Sequence, residues 1–243
     1  MDYKKANAVY LGNCMDLIND IPKDREIVLV TDPPFNIGYH YGKYDDDMDE
    51  ADYYKMLKAL YDAVGGKAVF IHYPEALHRL SIELKAPPSR VVAWVYNSNT
   101  PRQHRDICYY GFAPKMAQVT QEYKNPKDAR IAERMERGIM GGKQYDWIEE
   151  NQIKNISKEK YDHPCQMPLR VMAKVIGVIP KENNPIILDP FAGTGTTLVA
   201  ARDLGYDFIG FEIDPKYKEI ADMRLKDRTP AEIKAKIEQL RLF

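Results

Sequence analysis

The sequence has few of the features that mark a specialised class of protein. Its three cysteines, Cys14, Cys108 and Cys165, are far apart and form no CxxC pair. They predict neither a metal site nor a disulfide framework, and we expect reduced thiols. No apolar run approaches the ~20 residues of a membrane-spanning helix, and the N-terminus lacks the apolar core of a secretory signal. We therefore expect a cytoplasmic protein without a membrane partner.

The chain also has almost no net charge, but its charges are unevenly distributed. The formal total is −1, whereas residues 101–145 contain nine Lys and Arg against five Asp and Glu, which is net +4. A basic segment on an acidic body is typical of a phosphate-contacting surface. A solvated helix of mixed charge explains the same composition equally well.

The hydrophobic pattern predicts alternating strands and helices. The length of 243 residues suits one domain, 1–243, with a full core. Short, β-branched apolar runs typical of buried strands occur at Ile27–Val30, Ala68–Ile71, Val91–Val95, Ile186–Leu188 and Phe208–Phe211. Helical patterns cover Asp52–Val64, Thr197–Leu204, Pro215–Leu225 and, with a capping box, Thr229–Leu240. This alternation predicts an α/β fold with a mostly parallel sheet.

The stretch from Asn97 to Lys160 breaks this alternation. Ile107–Phe112 and Met116–Val119 have the pattern of an antiparallel pair, and Lys127–Gly138 that of a polar, charge-dense helix. We interpret roughly 100–160 as an insertion on the α/β body.

A strand, a glycine-containing turn and a helix follow one another at residues 186–197. Asp189 ends the strand, and Gly193 and Gly195 allow the backbone to approach a ligand where a Cβ would obstruct it. Glu212 lies 19 residues after Gly193, at the end of the next predicted strand, where an acidic residue holds ribose hydroxyls. The segment predicts a nucleotide-like ligand, and a purely structural turn is the alternative.

Two other nucleotide motifs do not match this turn. A P-loop has Lys before its Ser or Thr, whereas Thr196 and Thr197 follow Gly195 directly. The dinucleotide motif has a third glycine where this chain has Leu198.

A second motif, Asp32-Pro33-Pro34-Phe35, follows the predicted strand near the N-terminus. Neither proline has an N–H group, so the strand ladder ends there. Asp32 and the Pro33 carbonyl are then expected at the carboxyl edge of the sheet, where α/β proteins bind ligands. Two such acceptors could hold the two N–H bonds of an aromatic amino group and free its lone pair, with Phe35 stacking on the ring. A strand-ending turn with a capping Asp is the alternative.

Together these motifs resemble the DNA amino-methyltransferases of the adenine-N6 and cytosine-N4 type, in the circularly permuted group where the DPP-aromatic motif precedes FxGxG. Asp32–Phe35 matches the first motif and Phe191–Gly195 the second. The resemblance extends to further segments at 10–14, 163–168 and 210–214, and covers nearly the whole chain outside roughly 100–160.

The resemblance implies a permuted, mostly parallel, seven-stranded Rossmann-like sheet that binds S-adenosylmethionine. The target base would be flipped out of the DNA and methylated by direct displacement. The implied catalytic residues are Asp32, Pro33, Pro34 and Phe35. The implied cofactor-binding residues are Asn13, Cys14, Asp32, His163, Gln166, Asp189, Phe191, Gly193, Thr194, Gly195, Thr196 and Glu212.

Three positions depart from the family pattern. Asn13 replaces a common acidic residue, Met167 a lysine and Cys165 a hydroxyl residue. Because these departures lie outside Asp32–Phe35, we expect them to affect cofactor affinity before activity.

The basic segment and the target remain to be assigned. DNA contacts are expected from Arg102, Arg105, Lys127, Arg130, Arg134 and Arg137. We expect His72 at a strand end and the acidic run 45–47 in solvent, whereas Tyr39, Tyr41 and Tyr44 either line the base cleft or cover a loop. The resemblance implies adenine N6 as the target, because in that family an Asp before the prolines favours adenine. The alternatives are cytosine N4, a non-catalytic nucleic-acid-binding subunit, and protein or small-molecule methylation. The sequence leaves open a homodimer and a cognate restriction endonuclease, in a prokaryotic or phage setting.

Overall fold

The computed structural model describes residues 4–40, 44–154, 157, 160, 161 and 163–226, and it contains twelve strands within them. In chain order these are β1 Ala8–Leu11, β2 Ile27–Thr31, β3 Tyr39–His40, β4 Asp45–Asp46, β5 Ala68–His72, β6 Arg90–Val95, β7 His104–Tyr110, β8 Thr120–Glu122, β9 Gly141–Lys143, β10 Trp147–Glu149, β11 Ile186–Asp189 and β12 Asp207–Glu212. The α-helices are α1 Cys14–Leu17, α2 Glu50–Ala63, α3 Pro74–Leu84, α4 Ala129–Glu136, α5 Leu169–Gly177, α6 Thr196–Asp203 and α7 Pro215–Lys226. The five predicted apolar runs are confirmed as strands.

Eight strands form the main sheet, in the order β1-β12-β11-β2-β5-β7-β6-β10. All neighbours are parallel except β7, which runs antiparallel to both β5 and β6. The predicted α/β class is therefore confirmed. The predicted number of seven strands is one too low, because β10 adds a parallel edge strand beside β6.

Helices cover both faces of this sheet. Apolar side chains of α1, α2 and α3 pack on one face, among them Cys14, Leu57 and Leu80. Those of α5, α6 and α7 pack on the other, among them Met172 and Leu198. Within the described residues, no helix has the length and apolarity to cross a membrane. The helix predicted at 229–240 lies outside the described residues.

The antiparallel pair predicted for 107–112 and 116–119 is wrong. Residues 107–110 are buried with alternate side chains in the two core clusters, so they form a strand inside the main sheet rather than a hairpin arm. Residues 116–118 form a turn of 3₁₀-helix, and the antiparallel pair here is β8 with β9. Residues 111–146, which we call the excursion, connect β7 to β10 outside the main sheet and contain α4.

The strand order reverses at the centre of the sheet, between β11 and β2. From β11 the chain crosses to β12 on one side, and from β2 it crosses to β5 on the other. Connections that leave in opposite directions open a crevice at the carboxyl ends of the strands. The Thr31 hydroxyl donates to Asp189 Oδ1 across this junction at 2.8 Å, so the two sequence motifs meet there.

Candidate active site

A pocket of about 630 Å³ occupies the crevice at the strand reversal. Its volume is in the range of small-molecule sites. All four predicted catalytic residues line it, and so do the predicted cofactor residues apart from Gly195. Tyr39 and Tyr44 also line the pocket, whereas Tyr41 lies outside the described residues.

The glycine turn is tied to the end of the neighbouring strand by Glu212. Its Oε2 accepts the N–H of Gly193 at 2.7 Å, and its Oε1 accepts that of Asp214 at 2.8 Å. Gly193 has a φ of +51°, and a Cβ there would lie 3.3 Å from Nε2 of His163. The main chain therefore approaches the pocket at a point where a side chain would be strained.

Gly195 serves helix packing rather than the pocket lining. Its φ is +78°, and an added Cβ would lie 2.9 Å from the Cβ of Ala221 in α7. From the same helix, buried Arg224 donates to the Thr194 carbonyl at 2.7 Å and to the Thr196 hydroxyl at 3.1 Å. Sequence reasoning missed Arg224, and its only signal was a position on the predicted helix 215–225.

Asp189 is the acidic group beneath the glycine turn. Its Oδ1 accepts from the Thr31 hydroxyl at 2.8 Å and from the N–H of Phe191 at 3.1 Å. Burial raises the pKa of Asp189 to about 6, although these hydrogen bonds oppose the shift.

Asp32 follows β2 and lies against the side chain of Arg105. Nη1 of Arg105 is 3.2 Å from Oδ2 of Asp32, and both side chains are almost covered, at 12% and 14% exposure. Burial raises the pKa of Asp32 to about 6, with the Arg105 charge opposing and the Asp189 charge adding to the shift. Asp32 is thus a carboxyl group that titrates near neutrality.

The ring of Phe35 is held by aromatic neighbours from β5 and the residue that follows it. It stacks on His72 at 4.1 Å between centroids, with Tyr73 edge-on at 4.9 Å. The N–H of Tyr73 donates to Nδ1 of His72 at 2.7 Å. Burial lowers the pKa of His72 to about 3, so the neutral ring carries its proton on Nε2.

A hydrogen-bond chain continues from His72 to the DPPF turn. Nε2 of His72 is 3.1 Å from the Tyr53 hydroxyl, which donates to the Pro34 carbonyl at 2.7 Å. His72 lies at a strand end, as predicted, but this role was missed. The available signal was that β5 ends at the same edge as β2.

The loop after Phe35 turns around Asp46. Asn36 has a φ of +54°, and Asp46 accepts the N–H groups of Asn36 and Ile37 at 2.7 and 3.2 Å. Asp46 is 1% exposed. The prediction that the whole acidic run 45–47 is solvated is therefore wrong, because this carboxylate satisfies the donors of a tight turn.

The remaining predicted cofactor residues come from two other segments. Asn13 caps α1 by accepting from the N–H of Met15 at 2.9 Å, and Cys14 beside it is buried. Gln166 is buried and accepts from the N–H of Tyr161 at 2.8 Å. The ring of His163 packs edge-on against Tyr217 at 4.5 Å.

The six predicted DNA-contacting residues fall into three places. Lys127, Arg130, Arg134 and Arg137 are exposed on and beside α4. Arg102 lies over the Tyr73 ring near the pocket and pairs with Glu75 at 2.6 Å. Arg105 lies inside the pocket, because β7 belongs to the main sheet.

A family model for DNA methylases of the N6/N4 type matches residues 70–223. The chain belongs to this family. One relative is the type II methyltransferase M.HpaI of Haemophilus parainfluenzae. The two chains are 23% identical over 238 residues, which cover 88% of this chain and 72% of the relative.

Two solved structures share the fold of this DNA methylase. The M1.HpyAVI–SAM complex superposes with a TM-score of 0.59 at 19% identity, covering 90% of this chain and 99% of that one. The cytosine-N4-specific PvuII DNA methyltransferase superposes with a TM-score of 0.62 at 15% identity, covering 98% and 93%. Identities this low establish the class I methyltransferase fold alone.

Proposed function

We propose that this chain transfers a methyl group from S-adenosylmethionine to N6 of an adenine flipped out of DNA. The observation that carries the proposal is the meeting of Asp32–Phe35 with the glycine turn and Glu212 around one pocket. Membership of the DNA methylase family supports it.

The glycine-turn side of the pocket fits the cofactor. The main chain at Gly193 leaves space that a side chain would fill, and Glu212 lies beside it as an acceptor for ribose hydroxyls. Asn13 would lie near the adenine ring, and His163 and Gln166 near the methionine part. When bound, S-adenosylmethionine supplies an electrophilic methyl group on a sulfonium sulfur.

The DPPF side of the pocket supplies the groups for an aromatic amine. Asp32 and the Pro33 carbonyl each accept one N–H of the target amino group, which draws the nitrogen toward tetrahedral geometry and frees its lone pair. Phe35 stacks on the base. As the new N–C bond forms and the S–C bond breaks, the nitrogen loses one proton toward the Asp32 carboxylate. Catalysis then depends on positioning and electrostatics, without a covalent enzyme intermediate.

The choice of adenine rests on Asp32, since the family resemblance associates Asp before the two prolines with adenine. The experiment is mass spectrometry of nucleosides from DNA of cells that express the chain, with base-modification sequencing to find the site. We expect N6-methyladenine at one recognition sequence. N4-methylcytosine would show that cytosine is the target, and unmodified DNA from cells that contain the folded, cofactor-binding protein would overturn the function.

We further propose that the excursion contacts DNA through the cations around α4. Arg130 is 90% exposed, and Asp128 caps the helix by accepting from the N–H of Arg130 at 3.0 Å. This surface lies apart from the pocket lining. DNA phosphates that displace counterions from it would make binding strongly salt-dependent.

Replacing the four α4 cations with Gln tests this surface. Each lost phosphate contact should reduce the slope of log affinity against log salt by about 0.9, whereas cofactor affinity should not change. The variant positions are Lys127, Arg130, Arg134 and Arg137. The matched control replaces four other cations with Gln and so loses the same charge. These are Lys55 and Lys58 in α2, Arg79 in α3 and Lys85 directly after α3. Equal slopes in the two variants would show that the α4 surface is an inert solvated face.

A further inference from the structure

Arg105 reaches the pocket from a strand that runs against the others. It is the second residue of β7, and its neighbour Asp106 pairs with His72 at the end of β5. Because β7 is antiparallel to β5, its N-terminal end lies at the sheet edge where β2 and β5 have their carboxyl ends. This topology places a cation at the edge occupied by Asp32.

The guanidinium group contacts the two side chains on which the proposed base site depends. Its Cζ lies 4.6 Å from the Phe35 ring centroid and 5.2 Å from that of Trp94. Its Nη1 lies 3.2 and 3.5 Å from the two oxygens of Asp32 and 3.7 Å from Sδ of Met167. The side chain is only 12% exposed.

These contacts are the ones that a target adenine would need. A guanidinium group is flat and presents N–H donors at its edge, as an aminopurine presents its ring and amino group. His72 already stacks on Phe35 at 4.1 Å, so a base must use the ring surface that Arg105 covers. We propose that Arg105 occupies the place of the target base in the free enzyme and is displaced when the base enters, an inference that rests on the proposed function.

The pairing is suited to being broken. Nη1 alone approaches both oxygens of Asp32, whereas the strongest arginine–carboxylate pairs use two parallel N–H bonds. The buried Nε of Arg105 has no hydrogen-bond partner within the described part of the chain. Without a base, Arg105 gives Asp32 a counter-charge in a site where an unpaired carboxylate would be costly. The entering amino group then takes over as donor.

Arg105→Met removes the charge and the planar group while keeping an unbranched, flexible side chain. Binding is measured for two duplexes with the recognition sequence, one with the target adenine and one with an abasic site in its place, at mildly alkaline pH. If Arg105 must leave before the base can bind, the apparent affinity of the wild type is reduced to the fraction of molecules in which Arg105 has left the site. We therefore expect the variant to bind the adenine duplex at least about fivefold more tightly. The abasic duplex, which sends no base into the pocket, should bind equally well to both proteins.

Other results would overturn the proposal. Equal weakening on both duplexes would make Arg105 a phosphate contact, and weakening on the adenine duplex alone would make it a stationary stacking partner of the base. Unchanged affinity on both would show that Arg105 does not compete with the base. Arg79→Met, which removes an exposed cation of α3 that pairs with Glu50, is the control for charge.

Arg105→Lys covers the case in which the Met variant does not fold. It keeps a cation for Asp32 but removes the flat group from Phe35, so it should strengthen adenine-duplex binding by a smaller factor. Cofactor calorimetry and thermal melting establish that each variant is folded. Methylation by the wild-type protein tests the proposed function separately. Wild-type activity without the affinity gain would overturn only the role of Arg105.

Discussion

The two walls of the pocket hold their central carboxylates in different ways. In the glycine-turn wall, residues 189–197 with Glu212, the carboxylates accept backbone N–H groups of Phe191, Gly193 and Asp214. In the DPPF wall, Asp32 faces a side chain 73 residues away, and Phe35 packs on another strand. The carboxylates of the first wall are held mainly by main-chain donors, whereas Asp32 in the second wall is held by a side chain.

This difference determines which kind of ligand each wall suits. A loop whose donors are satisfied by a neighbouring carboxylate has one low-energy arrangement and suits a ligand that always binds in the same way. A wall assembled from side chains can exchange partners, because a guanidinium group can leave Asp32 without breaking a strand. The glycine-turn wall therefore suits the cofactor, and the DPPF wall suits a base that enters and leaves.

Asp32→Ala tests this separation most strongly. Removing a well-placed acceptor costs about 10²–10³ in rate, so methyl transfer should fall by at least that factor in single-turnover assays on DNA. Cofactor affinity by calorimetry should change little, because the Glu212 contacts do not involve Asp32. A variant that methylates at near wild-type rate would contradict the amino-group mechanism, and a parallel loss of cofactor binding would contradict the separation of the walls.

Glu212→Gln should have the converse effect, with a smaller magnitude. The amide keeps one acceptor oxygen, so the N–H of Gly193 or that of Asp214 loses its partner at a cost of about 1–3 kcal/mol. We expect cofactor affinity to fall about tenfold or more, while the rate at saturating cofactor stays close to wild type. Asp214→Asn leaves the Glu212 carboxylate in place and is the matched control. Unchanged affinity in Glu212→Gln would show that these contacts do not shape the cofactor site.

The glycine-turn wall is the part of the site that the sequence predicts well. Its groups lie within one strand–turn–helix segment and the next strand, so spacing alone places Gly193 beside Glu212. The central parallel strands β2, β5, β11 and β12 were predicted for the same reason, since each is a short buried run between turn residues. Gly195 was assigned to the ligand because a glycine required by Ala221 and one required by a ligand look alike in sequence.

The DPPF wall could be predicted only in part. The two prolines mark where β2 ends, but His72 and Arg105 reach Phe35 through the strand order β2-β5-β7. That order depends on long-range pairing, which a local pattern does not contain. The direction of β7 decides the place of Arg105, whereas the sequence pattern only groups Arg105 with the basic segment.

The smallest expected effect is the pH dependence of the methylation rate, which tests Asp32 in the DPPF wall. Asp32 must be ionised to take up the proton that the amino nitrogen loses, and its pKa is raised by burial to about 6. The rate at saturating cofactor and limiting DNA, which reports the free enzyme with Arg105 beside Asp32, should therefore fall below that pH, by about tenfold per unit. Arg105→Met removes the charge that opposes the shift, so the fall should begin at higher pH than in wild type. A rate that stays constant down to the range of an ordinary carboxyl would contradict a buried, functional Asp32.

Unfolding in acid would mimic this result, and the sign of the linkage distinguishes the two causes. Asp32 and Asp189 both have pKa values raised to about 6 in the folded protein. Because the folded state then binds protons more tightly than the unfolded state, these groups contribute stability that increases as pH falls through 6 toward the ordinary carboxyl range. Urea unfolding across that window measures the contribution of Asp189. The free energy of unfolding should rise less on acidification in Asp189→Asn than in wild type. A rate that falls while this stability term rises belongs to titration of Asp32 and not to loss of the fold.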